Sequence, residues 1–120
     1  MIHILIVEDN DMNREMIRRR LELHSFKTTM ANDGQQAIEL AVEVQPDIIL
    51  MDMSLPIVDG WQATRKLKSE AGTQNIPIIG LSAYASDSDV KKGLDAGCDA
   101  YEVKPIDFDR LLESIGKLTA

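Results

Sequence analysis

The chain has 120 residues, 44% of them hydrophobic and 28% charged, and a formal net charge of −7. That is one domain of ordinary size, able to build a core without disulfides or structural metal as staples. The acidic balance speaks against a nucleic-acid-binding surface, which needs clustered Lys and Arg, and no apolar run approaches the ~18 residues of a membrane span. The single cysteine, Cys98, permits no intrachain disulfide and suits a reducing compartment. The opening Met1-Ile2-His3-Ile4-Leu5-Ile6-Val7 runs straight into acids and does not read as a signal peptide. A soluble, cytoplasmic protein is expected.

His3–Val7 reads as an apolar strand, followed at once by Glu8-Asp9-Asn10-Asp11, where Asn10 or Asp11 caps a helix. Met12, Met16, Ile17, Leu21 and Leu23 are the apolar stripe expected on that helix, with Arg14, Arg18 and Arg19 outside. Residues 26–31 form a second strand and Asn32-Asp33-Gly34 a turn. Ala37, Ile38, Leu40, Ala41 and Val44 make a second helix, stopped near Pro46. Residues 47–51 are an apolar run bounded by a turn signal, the pattern of a strand buried on both faces, with Asp52 at its carboxyl end. After a loop over 54–60, holding Pro56 and Gly60, a third helix covers 61–67, with Lys66 and Lys68 favourably placed near its end. Residues 71–75 form a loop, and 77–81 a fourth strand ending at Ser82. Ser86 or Asp87 caps a fourth helix that runs through Ala96 and ends at Gly97. Ala100–Val103 is a short fifth strand and Lys104-Pro105 a turn. Phe108, Leu111, Leu112, Ile115 and Leu118 bury the last helix.

Strand and helix alternate five times, the pattern of a parallel sheet with helices on both faces. Open α/β sheets place ligands at the carboxyl ends of their strands. Those ends carry Glu8 and Asp9, Asp52, Ser82 and Lys104. Three carboxylates brought together repel and raise one another's pKa unless a cation joins them. Mg²⁺ takes one or two carboxylates and keeps several waters, and Mn²⁺ is an alternative. Three carboxylates, one divalent ion and Lys104 are together electrically neutral, so such a site accepts a phosphoryl group without a large electrostatic barrier. Asp52 is the natural nucleophile, forming an acyl phosphate. Lys104 and the Ser82 hydroxyl would hold phosphoryl oxygens while the metal offsets developing charge.

Ile6-Val7-Glu8-Asp9-Asn10, Met51-Asp52-Met53-Ser54-Leu55-Pro56 with Asp59-Gly60, Leu81-Ser82-Ala83, and Gly97-Cys98-Asp99-Ala100-Tyr101 with Lys104-Pro105 span the chain from end to end. In this order the sequence resembles a response-regulator receiver domain, the family typified by the chemotaxis protein CheY. The resemblance implies a doubly wound (βα)5 flavodoxin-like α/β sandwich, with a five-stranded parallel sheet in the order 2-1-3-4-5. It implies that Asp52 is the phosphoacceptor, that Asp9 ligates Mg²⁺ directly, that Glu8 holds the metal, often through water, and that Ser54 lends a backbone carbonyl. It implies phosphoryl contacts from Ser82, Lys104 and the Ala83 backbone N–H, an aromatic switch at Tyr101 coupled to Ser82, and a cis peptide between Lys104 and Pro105. The implied donor is a phosphohistidine on a histidine kinase or histidine phosphotransfer protein. The implied output is a changed affinity for a downstream protein at the face of the fourth helix, fifth strand and fifth helix.

Ser82 stands where threonine is commoner and keeps the hydroxyl. Ser54 and Tyr84 occupy variable positions that influence hydrolysis of the phosphoaspartate, and Glu102 stands where an apolar residue is frequent. Asn10 with Asn13 resembles receivers of hybrid histidine kinases and small phosphorelay receivers. The expectation is a single receiver domain over 1–120 with no output domain, a stand-alone regulator, monomeric or weakly dimeric, with no nucleic-acid or membrane partner. It is a phosphoacceptor that takes part in its own phosphorylation and dephosphorylation rather than a conventional turnover enzyme.

Three alternatives remain at this point. A dehalogenase-type phosphohydrolase would carry a second acid two residues after the nucleophile, where this chain has Ser54. A flavin- or nucleotide-binding module would need a phosphate-cradling loop where the chain has Glu8-Asp9-Asn10-Asp11. A binding module indifferent to phosphorylation would not need the acceptor set. Outside the site the plain readings hold: Trp61 packs at the start of its helix, His3 and His24 have structural or surface roles, the methionines fill core space, and Cys98 is buried and inert.

Overall fold

The computed structural model describes residues 1–55, 57–83 and 86–120; Pro56 and Tyr84, both singled out in the sequence, lie outside the described residues. The elements follow in the order β1 (His3–Val7), α1 (Asp11–Leu23), β2 (Lys27–Ala31), α2 (Gly34–Val44), β3 (Ile48–Asp52), α3 (Gly60–Ser69), β4 (Ile78–Ser82), α4 (Asp87–Ala96), β5 (Ala100–Val103) and α5 (Phe108–Leu118). The strands form one parallel sheet in the order β2-β1-β3-β4-β5, the topology the sequence led us to expect.

The three central strands are apolar on both faces because each face has its own core. Leu5 and Val7, Ile49 and Met51, and Ile78 point to one side, where they meet Ala37 and Ala41 of α2 and Ala63 and Leu67 of α3. Their neighbours Ile4, Ile6, Ile48, Leu50, Ile79 and Leu81 point to the other side, against Ile17 and Leu21 of α1 and Phe108, Leu111 and Ile115 of α5. Period-two side chains serving two layers read in sequence as unbroken apolar runs. Each helix starts on a capping side chain that accepts the backbone N–H three residues on: Asn10, Asp33, Asp59, Ser86 and Asp107. At α3 the cap is reciprocal, since the Gln62 side chain returns to the Asp59 backbone.

The expected stripe on α1 is corrected. Only Ile17 and Leu21 are buried, while Met12 and Leu23 are each 82% exposed and Met16 48%. At 3.6 residues per turn the three exposed residues stand roughly 100–140° round the helix from Ile17, so α1 carries two apolar faces and buries one. Strands β3 and β4 also run one residue further than the hydrophobic runs suggest. Asp52 pairs with Leu81 and Ser82 with Val103 in the ladder, so both are the last residues of their strands, at the carboxyl ends where the sequence put them. Gly34 opens α2 instead of closing a turn. A β-carbon there would stand 1.9 Å from the Val58 carbonyl oxygen, so the loop before α3 needs glycine at this close approach. Among the described residues no helix is long and apolar enough to cross a membrane.

Candidate functional site

The carboxyl ends of β1, β3, β4 and β5 converge, and the polar residues there come from four distant segments. Glu8, the first residue after β1, is only 2% exposed. Its backbone N–H donates to the Ala31 carbonyl at 3.1 Å, and its own carbonyl accepts from Arg14 Nη1 at 2.8 Å. Its side chain accepts from Asn13 Nδ2 at 3.3 Å through Oε1 and from Lys104 Nζ at 3.3 Å through Oε2. Asp9 beside it is exposed.

Asp52 ends β3 and is 3% exposed. Both its oxygens are engaged: Oδ1 accepts the Ser54 backbone N–H at 3.0 Å, and Oδ2 lies 3.3 Å from Lys104 Nζ. The backbone that carries it is clamped by α3. A β-carbon on Gly60 would stand 2.4 Å from the Asp52 carbonyl oxygen and 2.5 Å from Met53 Cα, and the Gly60 N–H donates to the Met53 carbonyl at 3.2 Å. Ser82 ends β4, 1% exposed, and its carbonyl accepts the Lys104 N–H at 2.7 Å. That bond fixes the turn after β5, in which the Lys104–Pro105 peptide is cis. Ala83 and Ser54 are exposed at the rim. Tyr101 lies further back, paired with Gly80 two residues before β4 ends.

One carboxylate oxygen from each of Glu8, Asp9 and Asp52 lies within 4.8 Å of the others. Packing acids this closely has a cost, and Glu8 shows it. Burial, then a shared proton and like charge with Asp52, push its carboxyl up to about 7, against the opposing pull of Lys104 and Asn13. Burial pulls the Lys104 ammonium down, but the charges of Asp52 and Glu8, with hydrogen bonds to both, leave it above its ordinary value. One cation facing two buried carboxylates and a third at the rim is an arrangement short of positive charge. An oxygen-only donor set of this size fits a hard divalent cation.

Sequence reasoning did not foresee that Asn13 and Arg14, in the first turn of α1, hold the side chain and backbone of Glu8. Nor did it foresee the role of Gly60 under Asp52. The only signal was a polar helix start following an acid pair. It also had no account of Glu102, which is 8% exposed and meets Arg110 of α5, Nε to Oε1, at 3.7 Å.

A parallel sheet in this order, with an acid cluster and a lysine at its carboxyl edge, defines a class of phosphoryl-accepting signalling domain. The chain matches the family model "Response regulator receiver domain" over residues 4–116 and belongs to that family: it is a receiver domain of two-component and phosphorelay systems. It is 38% identical, over 112 residues, to the polar-differentiation response regulator DivK of Brucella anthropi, covering 93% of this chain and 91% of that one. The receiver domain of the sensor histidine kinase PA1611 from Pseudomonas aeruginosa PAO1, whose crystal structure has magnesium ion coordinated in the active site cleft, superposes with a TM-score of 0.91 at 35% identity, covering 98% of this chain and 96% of that one. The receiver domain of Saccharomyces cerevisiae Ssk1, solved with the histidine phosphotransfer protein Ypd1, superposes with a TM-score of 0.91 at 29% identity, covering 98% and 88%. Family membership displaces the dehalogenase-type and flavin-binding alternatives.

Proposed function

We propose that Asp52 accepts a phosphoryl group from a phosphohistidine on a histidine kinase or phosphotransfer protein, and that the domain thereby changes its affinity for a downstream protein. The observation that carries this reading is Asp52 itself, a carboxylate buried at a strand end, with one oxygen on the Ser54 N–H and the other facing Lys104. In the transfer the donor's P–N bond breaks, the imidazole nitrogen keeps the electron pair, and a P–O bond forms to Asp52. Glu8, Asp9, Asp52 and the Ser54 carbonyl would hold Mg²⁺, or Mn²⁺ in its place, which when bound supplies positive charge to the phosphoryl oxygens. Lys104 offers the same from the protein side, and the Ser82 hydroxyl and Ala83 N–H are the remaining donors at this edge. Ser82 and Tyr101 would pass the change to the face formed by α4, β5 and α5.

The donor's landing surface is supported by α1. Met12 and Met16 are exposed, and Met16 with Ile17, Arg20, Pro105, Ile106 and Phe108 lines a groove of about 540 Å³ that reaches Glu8 and Lys104. An apolar patch next to a reactive carboxylate is the expected mark of a protein partner. The domain is a cytoplasmic phosphoacceptor, monomeric or weakly dimeric, rather than a turnover enzyme, and residues 1–120 form one receiver unit.

The test is intact mass after incubation with acetyl phosphate, with and without Mg²⁺, on wild type and Asp52→Asn. The expected result is a Mg²⁺-dependent gain of one phosphoryl group, absent in the variant. Equal labelling of Asp52→Asn would overturn the site assignment.

A further inference from the structure

Tyr101 is seated between two residues that have no side chain. A β-carbon on Gly93 of α4 would stand 2.7 Å from Tyr101 Cδ2 and 2.7 Å from Cε2, and one on Gly80 of β4 would stand 3.2 Å from Cδ2. The two positions are not equivalent. Contacts of 3.1–3.2 Å at Gly80, to Cys98 Sγ, Met53 Sδ and the ring, are tight but close to what neighbours yield, whereas 2.7 Å to two ring carbons forces something to move. Gly93 sits inside a helix, where glycine is the poorest choice after proline, so its presence there reflects packing rather than helix formation. The backbone of α4 therefore comes directly against the Cδ2–Cε2 edge of the Tyr101 ring.

The same ring borders the phosphoacceptor edge. Gly80 pairs with Tyr101 in the ladder, and Ser82 lies two residues on, on the same face of the sheet. Helix α4 also touches α3, with Lys92 Nζ 4.0 Å above the Trp61 ring. Ser82, Gly80, Tyr101, Gly93, Lys92 and Trp61 thus form one packed series from the strand end to the outer helices. We propose that Gly93 is the positioning residue that joins Tyr101 to α4, so that displacement of the ring and displacement of the helix are a single event, read out at Trp61. This rests on the switch role of Ser82 and Tyr101 given above, and names the element that receives it. Helix α4 follows the ring because no side chain stands between them.

A double-mutant cycle between Gly93→Ala and Tyr101→Ala tests it, with thermal unfolding and Trp61 fluorescence as readouts. With Tyr101 present, Gly93→Ala should lower Tm, since the added methyl meets the ring. In the Tyr101→Ala background it should raise Tm, since the clash is gone and alanine is the better helix former. Titration with beryllofluoride and Mg²⁺ should change Trp61 fluorescence in wild type and lose at least half of that change in Gly93→Ala. Mg²⁺-dependent labelling of Asp52 by acetyl phosphate should stay within about twofold. Additive Tm effects across the cycle would remove the seat. A full-sized Trp61 response in Gly93→Ala, or none in a wild type that labels at Asp52, would remove the transmitting role. Failure of the acceptor reading is separate and shows as absence of labelling in wild type.

Discussion

Glu8 is the residue where the strain of the site is most visible. Its carboxyl is held near 7 in the fold against an ordinary value of 4.5, so between those pH values the folded state keeps a proton the unfolded chain has released. The folded state binds more protons there, and stability falls as pH rises from about 4.5 to about 7. Lys104 acts in a different window: its raised pKa contributes stability that is present below its ordinary 10.5 and is lost only at higher pH. For the metal-free protein we expect Tm to be higher at pH 5.5 than at pH 8. Glu8→Gln should flatten this part of the profile and raise Tm at pH 8, while weakening Mg²⁺ binding about tenfold or more. Thermal scans in the presence of a chelator, with a Mg²⁺ titration beside them, measure all three; an unchanged pH profile in Glu8→Gln would show that the proton sits elsewhere. Residue types at this site were readable in the chain, but the direct Lys104–Glu8 contact was not, because 96 residues separate the two.

At the scale of the element, α1 and α5 make an instructive pair. They share one face of the sheet. On α5 the expected stripe holds, with Phe108, Leu111 and Ile115 buried and Leu112 and Leu118 half-buried. On α1 the apolar residues divide into a buried face and an exposed one. Hydrophobic spacing reports that a helix is amphipathic, but two apolar arcs on one helix do not reveal which of them the sheet covers. Ile17→Ala should therefore cost about 2–5 kcal/mol in denaturant unfolding, whereas Met12→Ser should change stability by less than about 0.5 kcal/mol. Met12→Ser should still slow phosphotransfer from a phosphohistidine protein without slowing labelling by acetyl phosphate. A stability loss in Met12→Ser comparable to that of Ile17→Ala would show that α1 packs by its other face.

For the whole molecule, the fold gathers acids at one sheet edge of a chain that already carries a net charge of −7. A ligand that binds only the folded state stabilises by RT ln(1 + [L]/Kd), about 2.7 kcal/mol at a hundredfold excess over Kd. Mg²⁺ should accordingly raise Tm by several degrees in wild type. Asp9→Asn and Asp52→Asn should each lose most of that rise, and should be more stable than wild type without metal because like charge is relieved. A Tm rise of equal size in all three proteins would mean that the ion acts by general screening rather than at this site.

What the sequence determined by itself follows from short-range chemistry. Alternation of strand and helix, the caps of α1 and α4, the doubly buried strands, and the acids, serine and lysine at strand ends are all local patterns, and each is where it was expected within a residue or two. What only the tertiary structure decided depends on contacts between distant segments. It turned one apolar face of α1 to solvent, set Asn13 and Arg14 on Glu8, and laid α4 on the Tyr101 ring across Gly93. A residue's type and its near neighbours set what it can do. Which partner it meets is set by how the layers pack, and spacing along the chain carries no record of that.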